Sequence, residues 1–154
     1  MPNDTTNAKA TKTERNSTPI PMPDQNDRLS APFWRAANSR RLAIQRCDNC
    51  REFHHPPVGL CPHCLSDKLS FTEVSGRGQV YSWAIVRNQR IAAFADKVPY
   101  IVATIELNDA PGVSLLSNMP GTAADQMRHD MPVNVVFQEI AEGVFIPQFE
   151  SAEA

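Results

Sequence analysis

The chain has 154 residues, a formal net charge of −2, and 42% hydrophobic and 21% charged residues. These values are ordinary for a soluble globular protein of one or two small domains. No apolar run approaches the ~20 residues of a membrane-spanning helix. The first residues, MPNDTTNAKATKTERN, lack the apolar core of an export signal, so a cytoplasmic protein in a reducing compartment is expected. Charge is unevenly spread, with net −1 over residues 1–27, +6 over 28–97 and −7 over 98–154. The basic middle suits a phosphate-bearing partner; the acidic end argues against a protein that coats DNA.

Residues 1–28 are polar and carry prolines at 19, 21 and 23, which reads as a disordered tail ending in an extended linker. Residues 29–40 should form an N-terminal helix, with Ser30 as N-cap, Pro32 in the first turn, and Phe33, Trp34 and Ala37 on one face. RLAIQRC (41–47) alternates as a strand leading into a zinc ribbon over residues 41–72. Residues 73–150 hold LSFTEV's continuation and five further strand patterns, at 76–88, 99–108, 113–118, 132–140 and 144–149. A short helix is expected at 122–130, between the third and fourth of these. The pattern is that of a five-stranded OB-fold barrel, so the fold class is mainly β. Within the first strand, Tyr81 and Trp83 should share one face, opposite Val80, Ala84 and Val86.

All four cysteines lie in CDNCREFHHPPVGLCPHC, residues 47–64. Two Cys-x-x-Cys turns supply four thiolates, the complete tetrahedral shell of a structural metal. Cys47, Cys50, Cys61 and Cys64 are therefore the expected ligands of one Zn²⁺ per chain, a site that accepts Fe²⁺ as well. A shell closed by protein leaves no position for water or substrate, so the ion holds structure and performs no catalysis. Structural zinc contributes about 10–16 kcal/mol in small modules, against the ~5–15 kcal/mol stability of a whole domain. The ribbon should not fold without it. Redox chemistry needs only one such pair, and a haem attachment needs His where Arg51 and Leu65 stand. His54, His55 and His63 are expected at surface or supporting positions rather than as ligands.

The order of features, a PFW helix, the RLAIQRC strand, the two cysteine turns, then EVSGRGQVYSWAIV, PYIVATIEL and MPVNVVF, resembles the DUF35 family from about Pro32 to Phe149. That family joins a rubredoxin-like zinc ribbon to an OB-fold and is associated with acyl-CoA. One departure is visible: Arg51 and Leu65 stand where such ribbons commonly carry Gly to allow positive φ. The resemblance implies a non-catalytic auxiliary subunit of a thiolase-superfamily enzyme, a thiolase or a thiolase-like aldolase of lipid or steroid degradation. Such a subunit completes its partner's fold or covers the entrance for CoA, in a two-plus-two heterotetramer. The residues agree, for they contain no nucleophile elbow and no phosphate loop, and every cysteine is assigned to metal.

Two stretches are candidate contacts for partner or CoA. One is the loop at 87–99, where Ile91 and Phe94 form an apolar tip between Arg90 and Lys97. The other is Phe33, Trp34 and Arg35 on the helix, since large aromatics and Arg are common interface anchors. The competing readings are a loop folded back on its own barrel and a helix whose aromatic face is core. Two further functions stay open, a free-standing acyl-CoA-binding protein and, favoured by the basic middle but not by the acidic end, a nucleic-acid-binding module.

Overall fold

The structure, a computed structural model, describes residues 20–88 and 91–153; residues 1–19 of the expected tail and Arg90 lie outside them. Among the described residues no helix is long and apolar enough to cross a membrane. One α-helix, α1 (Ala31–Asn38), is followed by eight strands: β1 (Leu42–Cys47), β2 (Phe53–His54), β3 (Leu69–Val74), β4 (Arg77–Val86), β5 (Tyr100–Leu107), β6 (Ser114–Asn118), β7 (Pro132–Ala141) and β8 (Val144–Ser151). The expected helix at 122–130 is a single 3-10 turn, Ala124–Gln126. The expected loop at 87–99 contains another, Ala92–Lys97.

Helix α1 starts differently from its sequence signal. Ser30 does not cap it with its side chain. Instead the Ser30 hydroxyl and N–H both donate to the Asp27 carboxylate, at 2.7 and 2.8 Å. The Ser30 hydroxyl first, and then its N–H, hold the Asp27 carboxyl below the usual carboxylate range. At the other end the Asn38 side chain accepts from the Phe145 N–H at 3.0 Å, fastening the helix to β8. The helix buries Ala31, Phe33 and Ala37.

The strands form two antiparallel sheets. The first has the order β2-β1-β3 and the second β6-β5-β4-β7-β8. β3 pairs with β1 along its whole length, from Leu42 opposite Val74 to Cys47 opposite Leu69. The second sheet is the OB-type unit, but it is not a closed barrel: β6 and β8 are its two ends and carry no ladder between them. A single cluster of buried residues runs through both sheets, from Phe33, Leu42 and Ile44 to Val80, Ile105, Val133 and Phe149.

β5 reads as its alternation predicts, with Ile101, Ala103, Ile105 and Leu107 buried. β4 does not. Its register against β5 slips between Val80 and Ser82, leaving Tyr81 in a bulge. Before the bulge Val80 lies opposite Ile105; after it Trp83 lies opposite Ala103 and Ile85 opposite Ile101. Val80 and Trp83 therefore share the inner face, and Tyr81 is exposed. An extra residue reverses the facing of everything beyond it, which strict alternation cannot foresee. His129 braces the bulge by bonding the Tyr81 carbonyl through Nδ1 at 2.7 Å and packing on the Trp83 ring.

The SGRG stretch is explained by contact. Gly76 has φ +71°, and a Cβ there would strike the Val135 side chain. A Cβ on Gly78 would strike the Glu106 carbonyl and Ile105 of the neighbouring strand. Glycine is needed where the backbone turns left-handed or another strand approaches this closely.

Candidate metal centre and adjoining groove

Two nearly identical turns build the metal centre. In the first, the Arg51 N–H donates to the Cys47 carbonyl and the Cys47 N–H to the Glu52 carbonyl. In the second, the Leu65 N–H donates to the Cys61 carbonyl and the Cys61 N–H to the Ser66 carbonyl. Each of these four bonds is 2.9 Å. Arg51 and Leu65, which replace the customary glycines, have φ of +69° and +59°. Both turns thus keep the left-handed residue and bear the steric cost of its Cβ, about 1–2 kcal/mol each.

The four sulfurs lie within 4.8 Å of one another, with Cys47–Cys64 and Cys50–Cys61 both at 3.6 Å. A tetrahedron of about 2.3 Å metal–sulfur bonds has edges of about 3.8 Å. The donor set and its spacing fit one tetrahedral ion held by all four cysteines, with no open position. Cys47 and Cys61 are fully buried, whereas Cys50 and Cys64 reach the surface. The Asn49 side chain, and then the Ser66 N–H, draw the Cys64 thiol down to about 6. The Glu52 N–H also acts to lower Cys50, but burial and the three neighbouring sulfurs outweigh it and push that thiol up to about 12. Four crowded thiols resist losing all their protons until a cation takes their place.

The histidines stand apart from the sulfurs, which among the described residues form the ligand cluster alone. His55 packs on the Phe33 ring at 5.1 Å, and burial lowers its basicity below the ordinary 6.5. His54 lies in β2, its Nε2 buried and without a partner. His63 is exposed in the second turn. Arg46, just before the first cysteine, donates to the Arg51 carbonyl at 2.9 Å and lies over the Phe53 ring. Gln45 was not singled out by the sequence, although a Gln among apolar strand residues is a signal. It is buried, donates to the Val58 carbonyl at 3.0 Å and accepts the Val58 N–H at 2.8 Å. It thereby pins the proline-rich loop between the cysteine turns to β1.

The candidate contact residues separate. Phe33 is 4% exposed, packed edge-on against Trp34, and is part of the core. Its ring offers no surface to another chain, because α1 docks on β1 and β8. Arg35 is exposed and Trp34 half-buried. Phe94 is half-buried against Tyr100, with the Lys97 ammonium over its ring at 5.4 Å. Ile91 is exposed. Arg90 lies outside the described residues.

Trp34, Phe94 and Lys97 nevertheless meet at one feature that the sequence did not reveal. A cavity of about 980 Å³ lies on the OB unit, bounded by the end of β6, the outer part of β7, the middle of β8, the loop at 94–99 and the loop at 119–124. Its floor includes Ile85, Ile101 and Ile146, and Arg87 and Lys97 stand at its margin. Ile20, Pro21, Met22 and Pro23 form one side of it. Its residues come from seven separate stretches, and only the curl of the sheet brings them together.

A ribbon with four clustered cysteines, sharing its core with an open OB-type sheet, defines the class: a two-part zinc ribbon and OB-fold protein. Residues 34–70 match the ChsH2 rubredoxin-like zinc ribbon domain, and residues 71–138 match the ChsH2 C-terminal OB-fold domain. The chain is 30% identical over 111 residues to a DUF35 domain-containing scaffold protein of Pyrococcus furiosus, covering 71% of this chain and 79% of that one. It is 40% identical over 121 residues to a probable enoyl-CoA hydratase alpha subunit of Thermomonospora curvata. That match takes in 78% of this chain but only 37% of the longer relative. A solved structure described as the Ltp2-ChsH2(DUF35) aldolase superposes with a TM-score of 0.76 at 36% identity, covering 84% of this chain and 99% of the matched one. This chain belongs to the DUF35 family.

Proposed function

We propose that this chain is a non-catalytic auxiliary subunit of an enzyme acting on acyl-CoA, and that its partner is a thiolase-superfamily protein. The observation that carries the reading is the match to the whole DUF35 chain of an aldolase that contains it beside Ltp2. The name of the Thermomonospora curvata relative points to the same substrate class. The chemistry of the chain supports it. Four thiolates around one ion, which we take to be Zn²⁺, leave no cysteine to accept an acyl group. His129 is engaged with a backbone carbonyl and Trp83.

The surface supports a partner as well. Leu116 on the edge strand β6 is 76% exposed, and Leu65 on the second cysteine turn is 71% exposed. Strand β6, SLLSN, carries neither charge nor proline, the devices that ordinarily keep a sheet edge from pairing. A subunit that covers these groups would explain their exposure. The assembly we propose is cytoplasmic and two-plus-two. The chain supports its partner's fold or lines the route by which CoA enters, with Phe94 and Lys97 at that margin.

Co-expression with candidate thiolase-superfamily subunits tests the reading. The expected result is co-purification in equal amounts, with C–C cleavage or condensation of an acyl-CoA by the complex and by neither chain alone. Phe94→Asp should abolish co-purification while the isolated subunit stays folded. Turnover of a thioester by the purified chain on its own would overturn the proposal.

One observation favours a second reading, a free-standing acyl-CoA-binding protein: the apolar cavity with two cationic residues at its margin. Calorimetric titration of the isolated chain with an acyl-CoA decides between them, since micromolar binding without a partner belongs to the second.

A further inference from the structure

The segment Ile20–Pro23, IPMP, lies along the cavity of the OB unit and forms one of its sides. Ile20 and Pro23 are half-buried, while Pro21 and Met22 are exposed. None of these four residues makes a hydrogen bond, an ion pair or a ring contact within the described residues. Two of them are prolines, which have no backbone donor to give. Apolar contact alone holds the segment in place.

The chain immediately after it is held quite differently. The Asn26 N–H donates to the Asp24 carboxylate at 2.9 Å. The Gln25 side chain accepts from the Asn38 amide at 2.9 Å. The Asp27 carboxylate takes both donors of Ser30, and the Asp27 carbonyl takes the Ala31 N–H at 2.8 Å. The change from unbonded to fully bonded chain falls between Pro23 and Asp24. The segment can therefore lift from that point without breaking a hydrogen bond or disturbing α1.

We infer that Ile20–Pro23 is a hinged strap that closes over a ligand chain lying in the cavity and retains it there. The cavity keeps about 980 Å³ with the strap down, so the strap is a cover and not a plug. Closing replaces water on the open side with Ile20 and Pro23, which favours an apolar occupant. Arg87 and Lys97, both exposed at the margin, favour one that carries an anionic end. Retention requires the strap to close more often over the loaded cavity than over the empty one, and a tenfold difference in that closing equilibrium tightens apparent binding by up to about tenfold. The device does not depend on which subunit the chain joins.

The test uses 1-anilinonaphthalene-8-sulfonate, an apolar anion whose fluorescence reports transfer from water, with the metal-loaded chain. Three proteins are compared: the full chain, the full chain with Ile20→Ser and Pro23→Ser, and a chain lacking residues 1–23. The expected result is binding to the full chain and about tenfold weaker binding to both variants. In a Trp83→Phe background, emission from Trp34, which lines the same cavity, should also move to longer wavelength in both. Equal affinity in all three overturns the inference. So does tighter binding in the variants, which would make the strap a competitor, and so does a full chain that leaves the dye in water. Metal content and thermal unfolding check the variants; loss of the metal in both would make the segment part of the core and overturn the inference too.

Discussion

The ribbon and the OB unit stabilise themselves by different means. In the OB unit the largest fully buried side chains are Phe149, Ile105, Met131, Val80 and Val133, spread over four strands and a loop. In the ribbon they are Ile44 and two of the candidate metal ligands, Cys47 and Cys61. One of its strands is two residues long. A sheet this small buries too little apolar area to offset its ordering, and an ion held by the four clustered cysteines would supply the difference. The lesson is that the two halves of one continuous core should respond differently to the same kind of damage.

The sharpest way to break the comparison is to remove one ligand. Cys61→Ser should leave the chain metal-poor and aggregated, because about 10–16 kcal/mol of apparent binding free energy is at stake. His55→Ala should keep one metal per chain. Elemental analysis of the two variants beside far-UV circular dichroism checks both. Damage to the other half should look different. Phe149→Ala should cost about 3–5 kcal/mol in denaturant unfolding while native protein still carries its metal. Gly78→Ala, which forces a methyl group against the Glu106 carbonyl, should cost about 1–3 kcal/mol by the same measurement.

Acid should act on the ribbon side through His55. Burial lowers its pKa below 6.5, so the folded state disfavours the charged ring. The unfolded chain then takes up the proton first, and stability falls as pH drops from about 6.5 toward the lower folded value. His55→Gln should flatten that decline in melting temperature at constant metal content. The smallest effect is expected at Leu65. Leu65→Gly relieves a side chain at φ +59° and frees the unfolded chain, for a net gain of up to about 1 kcal/mol in thermal unfolding. If the exposed leucine serves an interface, the same variant weakens association with the partner.

The two regions also differ in how much of them the sequence discloses. The cysteine cluster was legible because its members are close in the chain and paired Cys-x-x-Cys turns admit few alternatives. The β5 facing was legible because Ile101, Ala103, Ile105 and Leu107 alternate without interruption. The facing of Trp83 was not, since a one-residue bulge at Tyr81 leaves no local mark. Ser30 misled as a cap because Asp27, three residues earlier, competes for its hydroxyl. The aromatic face of α1 split in two: Phe33 went into the core and Trp34 to the cavity. Only the three-dimensional curl of an unclosed sheet assembles that cavity, from Ile20 at one end of the chain to Gln148 near the other.

Thiol titration of the folded, freshly purified chain, paired with elemental analysis, tests the central claim most directly. A closed four-sulfur clamp predicts one divalent ion per chain and essentially no reactive thiol until a chelator or denaturant is added. Four freely reacting thiols in a well-folded sample, or a folded sample without metal, would contradict it.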